Sequence, residues 1–285
     1  MNLHKKTEYQ IRVDESRNFL KSWYPYKEKP VAAIVLGSGL SDLFQKENTV
    51  DISYQQIPGF FDTSVQSHTG ELSILTHPTK PMHMALLKGR IHGYESYNPA
   101  EVVHMIRTLI SFGTQHIILT NASGCLREEW QVGETMLIED QINMTGQNPI
   151  WGVFGEGFGP QFQDMTHIYD SQWIQYLEQK AQEKKHDLRK GVYLGVSGPN
   201  YETPAEVKMF QKLGGDAIGM STIWEAMAAH HMGAKVLGVS CLTNHGPGLL
   251  KATGTSHKEV TQRALQFKPF LSDFLIPNLW NYFLQ

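Results

Sequence analysis

Apolar and polar positions follow two rhythms along this chain. Residues 9–23 carry apolar side chains at helical spacing and predict an opening helix. Pro25 and Pro30 then bracket a turn into the apolar run 31–36, which ends at Gly37-Ser38-Gly39. Two short β-like runs, 72–76 and 83–87, precede residues 99–112, whose spacing is helical; 116–120 and 136–138 again read as strands. The Gly- and Phe-rich stretch 146–159 is too long for a simple connector.

The second half is punctuated by three capping boxes: Thr203-x-x-Glu206 with Pro204 at the first helical position, Thr222-x-x-Glu225, and Ser256-x-x-Glu259. Each places a hydroxyl and a carboxylate where they satisfy orphaned backbone donors at a helix start. β-like runs at 191–196 and 216–219 end shortly before the first two. A buried-looking strand, 235–242, follows the second, with Asn244 expected just past its end. The alternation predicts an α/β fold, in which ligands collect at strand ends. No internal repeat or low-complexity linker interrupts it, so residues 1–285 are expected to form a single domain, with 1–25 as an N-terminal helical segment.

Composition narrows the function. The chain has 285 residues, 41% hydrophobic and 19% charged, and a chain of this size can bury about three-quarters of its unfolded surface. Its 25 Lys and Arg against 28 Asp and Glu give a net charge of −3, without long blocks of one sign, which argues against a nucleic-acid or membrane partner. Cys125 and Cys241 lack CxxC spacing and lie beside apolar runs, as buried free thiols do. The polar N-terminus has no signal-peptide core, and no apolar run approaches a membrane span. A cytoplasmic location is expected.

Several short motifs carry candidate chemistry, each with a plainer alternative. Gly37-Ser38-Gly39-Leu40 follows a strand and either brings backbone amides to a phosphate or is an ordinary turn. It is neither a Walker loop nor a dinucleotide fingerprint. Gly89-Arg90-Ile91-His92-Gly93-Tyr94-Glu95 packs a guanidinium, an imidazole, a phenol and a carboxylate into seven residues after an apolar strand. It reads as an oxyanion site or as a solvated loop tip. Glu202, just before the cap Thr203, either favours the helix dipole or accepts from a heterocycle with Tyr201 stacked on it. Gly219-Met220-Ser221-Thr222 feeds a helix N-terminus where an anion could meet Ser221. His257 sits in the first turn of the third capped helix, where the dipole favours a neutral imidazole. No metal spacing is present, since His230 and His231 diverge on a helix, and no nucleophile elbow exists.

The order and spacing of these motifs resemble the trimeric class of purine nucleoside phosphorylases from Val31 nearly to the C-terminus. The residues that carry the resemblance are Gly37-Ser38-Gly39, Ser67-His68-Thr69-Gly70, Gly89-Arg90-Ile91-His92, Thr120-Asn121-Ala122, Gly198-Pro199-Asn200-Tyr201-Glu202-Thr203, Gly219-Met220-Ser221-Thr222 and Thr243-Asn244. The resemblance implies a central mixed, partly barrel-like β-sheet flanked by helices. It implies phosphate binding by Ser38, His68, Arg90, His92, Ala122 and Ser221. Ribose would lie against Tyr94, Met220 and His257, with Phe158 entering from a neighbouring subunit of a homotrimer. The base would be held by Tyr201, Glu202 and Asn244, and Glu202, Asn244 and His92 would carry catalysis. No cofactor is implied, because inorganic phosphate is itself a co-substrate. An Asn at 244 turns an NH2 toward the 6-oxygen of inosine or guanosine, where an Asp would suit the 6-amino group of methylthioadenosine. The chain departs from the family at Ser123-Gly124-Cys125, where two glycines are usual, and at His245; Ser123 and His245 join the candidate base contacts.

Overall fold

The computed structural model describes residues 6–37, 39–40, 49–65, 68–155, 157–250 and 256–285. Helix α1 (Glu8–Trp23) starts one residue earlier than the apolar pattern, because Thr7 accepts from the Gln10 amide and Gln10 returns a bond to the Thr7 amide. Strands β1 (Ala32–Leu36), β2 (Thr49–Ser53), β3 (Glu71–Thr76) and β4 (His83–Lys88) follow. The helical stretch 99–112 is two helices, α2 (Pro99–Val102) and α3 (His104–Phe112), parted at Val103, whose φ of −90° and ψ of 3° leave the α region.

The remainder alternates β5 (His116–Cys125), β6 (Thr135–Asn143), α4 (Ser171–Lys184), β7 (Leu188–Gly195), α5 (Pro204–Lys212), β8 (Ala217–Gly219), α6 (Ile223–His231), β9 (Lys235–His245), α7 (His257–Ala264) and α8 (Ile276–Phe283). Helix α4 begins at Asp170, which accepts from the Trp173 amide and sets that indole fully into the core.

The strands pair in the order β2-β3-β4-β1-β5-β8-β7-β6-β9, and β9 pairs back onto β5. Five strands therefore close into a barrel, and β1 to β4 extend from it as an arm. This is the mixed, partly barrel-like sheet that the sequence resemblance implied. Strands β1 and β4 are parallel and buried at every position, which is why they read as unbroken apolar runs rather than alternations.

Two strands outrun their apolar segments. β5 continues through Thr120-Asn121-Ala122-Ser123-Gly124-Cys125, and β9 reaches His245, so Asn244 lies within the strand rather than past its end. Polar residues can continue these strands because they satisfy one another inside the barrel, as Ser123 and Asn121 do with Ser240. The β5–β9 register slips there: Ser123 faces Leu242, but Gly124 faces Asn244, which leaves Thr243 as a bulge. No helix among the described residues is long and apolar enough to cross a membrane.

Candidate active site

A cavity opens where β4, β5, β8 and β9 end, and it is lined by twelve of the expected site residues or their neighbours on the same motifs: Arg90, His92 and Tyr94; Asn121, Ala122 and Ser123; Tyr201 and Glu202; Met220 and Ser221; Asn244 and His257. His68 also lines it. Ser38 and Ser67 fall outside the described residues.

One end is built around Arg90, which follows β4 and is almost fully buried. Its Nε bonds the Glu225 carboxylate at 3.0–3.1 Å, and Nη1 donates to the Thr120 carbonyl at 2.6 Å. Nη2 is buried and finds no hydrogen-bond acceptor among the described residues. Arg90 is thus already neutralised by a buried partner, and what remains for a ligand is one aimed donor more than a net charge.

A row of rings stands beside it: His68 stacks 5.6 Å from His92, and His92 stacks 4.6 Å from Tyr94. Gly89 makes room for the row, since its φ is +112° and a Cβ there would sit 2.5 Å from the His68 Cβ. His92 Nδ1 lies 2.9 Å from Glu95, whose carboxylate also accepts from Ser64. Burial alone would raise the Glu95 pKa, but the bonds from His92 and Ser64 outweigh it and hold the carboxyl at about 2. Glu95 is therefore an acceptor, and Nδ1 must carry a proton. Burial lowers the His92 pKa, and burial with the neighbouring His92 and Arg90 lowers that of His68 to about 3. Both rings are neutral near pH 7, and His92 turns the lone pair of Nε2, rather than an N–H, away from Glu95.

Ser221 completes this end at the mouth of α6. Thr222 beside it has φ 76° and ψ −53°, and the Ile223 amide donates to the Ser221 carbonyl at 2.8 Å. The three residues form a tight γ-turn, a strained conformation for a β-branched residue, worth roughly 1–3 kcal/mol and typical of functional sites. The capping box expected here is half formed: Glu225 accepts from the Thr222 amide, while the Thr222 hydroxyl turns to Asn121 instead. Burial pushes the nearby Tyr193 hydroxyl up to about 12, with Ser221 offsetting part of the rise.

The other end is less tightly held. Glu202 leaves the cap of α5 to Glu206, which accepts from the Thr203 amide at 2.7 Å, and lines the cavity instead. Burial raises its carboxyl pKa. Asn244 donates from Nδ2 to the His245 carbonyl at 3.2 Å and accepts at Oδ1 from Thr243 at 3.0 Å, which fixes which edge of the amide is the donor. Gly124 leaves space beside it: a Cβ there would meet Asn244 Nδ2 at 3.4 Å. Tyr201 is over one-third exposed, and His257 is exposed at the rim.

Two expected residues lie elsewhere. His245 does not line the cavity, because its Nε2 is engaged by the Trp130 carbonyl at 2.9 Å. Phe158, expected to project into a neighbouring subunit, is 5% exposed and packs within its own chain against Val13 and Val153, with the Arg107 guanidinium 5.3 Å from its ring. That cation draws the ring inward. Trp151 and Phe162 are the exposed aromatics of this segment, at 67% and 87%. Sequence reasoning also passed over Glu225, read only as a cap. The available signal was a lone carboxylate in the otherwise apolar helix Ile223-Trp224-Glu225-Ala226-Met227-Ala228, which demands a buried partner.

The pattern of the phosphorylase superfamily matches residues 32–274 of the chain. The chain is 38% identical to purine nucleoside phosphorylase 1 of Bacillus subtilis over 252 residues, covering 88% of this chain and 91% of that protein. It is 34% identical to the purine nucleoside phosphorylase of Bos taurus over 264 residues, covering 87% and 88%. The fold superposes with a TM-score of 0.86 on the crystal structure of Schistosoma mansoni purine nucleoside phosphorylase in complex with adenosine, at 29% identity over 94% of this chain and 96% of that one. With Arg90, Ser221, Glu202 and Asn244 lining one cavity, the chain belongs to the phosphorylase superfamily, among its purine nucleoside phosphorylases.

Proposed function

We propose that this cavity carries out the reversible phosphorolysis of inosine, guanosine and their deoxy forms, releasing the purine and (deoxy)ribose 1-phosphate. The observation that supports the reading is that Arg90, Ser221 and the histidine row line one cavity together with Glu202 and Asn244. Phosphate sits at the first end, against Arg90 Nη2, the Ser221 hydroxyl and Ala122, with the Nε2 lone pair of His92 accepting the proton of a monoprotonated phosphate. His68 lies close by, and the sequence resemblance assigns Ser38, outside the described residues, to the same anion. The purine sits at the second end beside Ser123 and Tyr201, and the ribose spans Tyr94, Met220 and His257.

Glu202 accepts from the N1–H of a 6-oxopurine. The Asn244 amide, oriented by the His245 carbonyl, turns its NH2 edge toward the electron-rich side of the ring. As the glycosidic bond loosens toward an oxocarbenium ion, its electron pair moves into the purine, where the Asn244 donor stabilises the charge in place of water. Phosphate on the opposite face stabilises the ribosyl cation and forms the new C1–O bond with inversion. No protein nucleophile is needed. We further assign a cytoplasmic homotrimer; Trp151 and Phe162 offer an apolar surface for self-association.

Base release from inosine, guanosine, adenosine and methylthioadenosine, each with and without phosphate, tests the reading. Phosphate-dependent release from the first two is expected. Release without phosphate, or turnover of methylthioadenosine alone, overturns it. A solution mass of three times 32.3 kDa is expected of the assembly, and a monomer at micromolar concentration counts against it.

A further inference from the structure

A continuous chain of buried side chains joins the two ends of the cavity behind its wall. Ser123 Oγ lies 2.6 Å from Ser240 Oγ, Ser240 Oγ 2.6 Å from Asn121 Oδ1, Asn121 Nδ2 2.8 Å from Thr222 Oγ1, and Thr222 Oγ1 3.1 Å from Ser221 Oγ. Ser123, Ser240, Asn121 and Thr222 are each at most 3% exposed, so these bonds have no water to exchange with.

Its direction as far as Thr222 follows from counting protons. Asn121 Oδ1 can only accept, so Ser240 spends its one proton there. Ser240 can then only accept from Ser123, which makes Ser123 the donor of that pair and leaves its Oγ, on a residue that lines the cavity, with lone pairs alone to offer. At the other edge of the amide, Nδ2 can only donate, so Thr222 Oγ1 accepts from it and keeps one proton of its own, with Ser221 Oγ 3.1 Å away and the buried Tyr193 hydroxyl close to both. The strained γ-turn holds Thr222 in position to take the bond from Asn121 rather than cap α6.

We infer that Thr222 gives its proton to Ser221, and that Ser240, Asn121 and Thr222 are thereby positioning residues of a one-way hydrogen-bond relay, which sets Ser221 as a donor to the anion and Ser123 as an acceptor toward the base. This rests on the phosphorolysis reading for the identity of the anion. The device sorts substrates by polarity at both ends: an unprotonated oxygen of the anion is favoured at Ser221, and an N–H is favoured over a lone pair at Ser123. Ser123, which departs from the family pattern, is thereby given a role in choosing the base.

The test uses the full chain, with calorimetric titration of inorganic phosphate in the absence of nucleoside and steady-state KM values for phosphate and inosine. Ser240→Ala frees the Asn121 amide to turn over, and Thr222→Val removes the acceptor and donor that follow it. Each is expected to weaken phosphate about 3- to 10-fold, the size of one neutral hydrogen bond; the inosine KM stays within about twofold in Thr222→Val and rises in Ser240→Ala, which releases the Ser123 proton. Thr222→Ser keeps the hydroxyl and is expected to restore phosphate binding to within about twofold of wild type. Ser123→Ala, at the head of the relay, is expected to raise the inosine KM and leave phosphate affinity unchanged. Thermal melts confirm that each variant is folded.

Equal rises in both KM values for Thr222→Val, an unchanged inosine KM for Ser240→Ala, a Thr222→Ser protein as impaired as Thr222→Val, or loss of phosphate affinity in Ser123→Ala overturns the relay. A wild-type chain that takes up no phosphate overturns the phosphorolysis reading along with it. Wild-type uptake with unchanged variants overturns the relay alone.

Discussion

The two ends of the cavity are built to different standards. At the phosphate end Arg90, Glu225, His92 and Glu95 are nearly all buried, and these side chains are tied in pairs by bonds of about 3 Å. At the base end Glu202 and Asn244 are only half-buried, Tyr201 is exposed, and His257 stands at the rim. The difference teaches how such an enzyme divides its work. The anion is the same in every turnover and rewards a fixed cradle, whereas the base is the part of the substrate that varies, so its contacts sit on loop and strand ends.

If that division is right, the heaviest loss comes from the fixed end. Arg90→Ala removes a donor and leaves the Glu225 carboxylate buried without its counter-charge, which typically costs about 3–5 kcal/mol, so we expect a loss of about 1000-fold or more in kcat/KM for phosphate and a lower Tm. A variant that melts like wild type and binds phosphate normally would break the comparison. Asn244→Ala comes next, with a loss on the order of 100- to 1000-fold in kcat for inosine and unchanged phosphate affinity by calorimetry.

Glu202 yields a smaller, pH-dependent effect. Burial raises its pKa above the ordinary 4.5, and the ionised form is the one that accepts from the purine. Turnover of inosine should therefore fall as pH drops through a value higher than 4.5, and Glu202→Gln should lose about 10-fold at pH 7 and lack that acid limb. An identical limb in the variant would assign it to another group.

The smallest effect concerns stability. His68 is held near pKa 3 in the folded chain against 6.5 when unfolded, so the unfolded state binds the extra proton between these values. Its neutral form costs nothing above pH 6.5, and stability is lost as pH falls from there toward 3, by on the order of 3 kcal/mol at most near pH 4. His68→Asn should flatten part of the decline in Tm between pH 7 and 4. An unaltered slope would place the acid sensitivity at another buried group such as His104, which burial lowers to about 4.

Much of the arrangement could be read from local chemistry. Thr203 and Ser256 cap their helices as their spacing dictates, because a capping box involves only four consecutive residues. The motifs around Arg90, Glu202 and Ser221 also proved to share one cavity, since each sits where an apolar run gives way to polar residues. What escaped was non-local. Closure of β9 onto β5 joins residues more than a hundred positions apart, and the polar half of β5 is a strand only because Ser240 lies opposite to satisfy it. Glu225 looked like a cap because its partner Arg90 is 135 residues away. Phe158 and His245 were misplaced for the same reason: the Arg107 guanidinium and the Trp130 carbonyl that claim them are distant in sequence.

The bulge at Thr243 bears on how a chain of this kind could change what it reads. Asn244 confronts Gly124 only because Thr243 takes no partner in the ladder. Loss of a single residue there would rotate the neighbouring side chain into the opening and withdraw the amide, without a substitution at either position. Selectivity in this barrel is thus recorded twice, in the alphabet of side chains and in the framing of one strand against another. A frame change of one residue is a larger jump than any point replacement at 244.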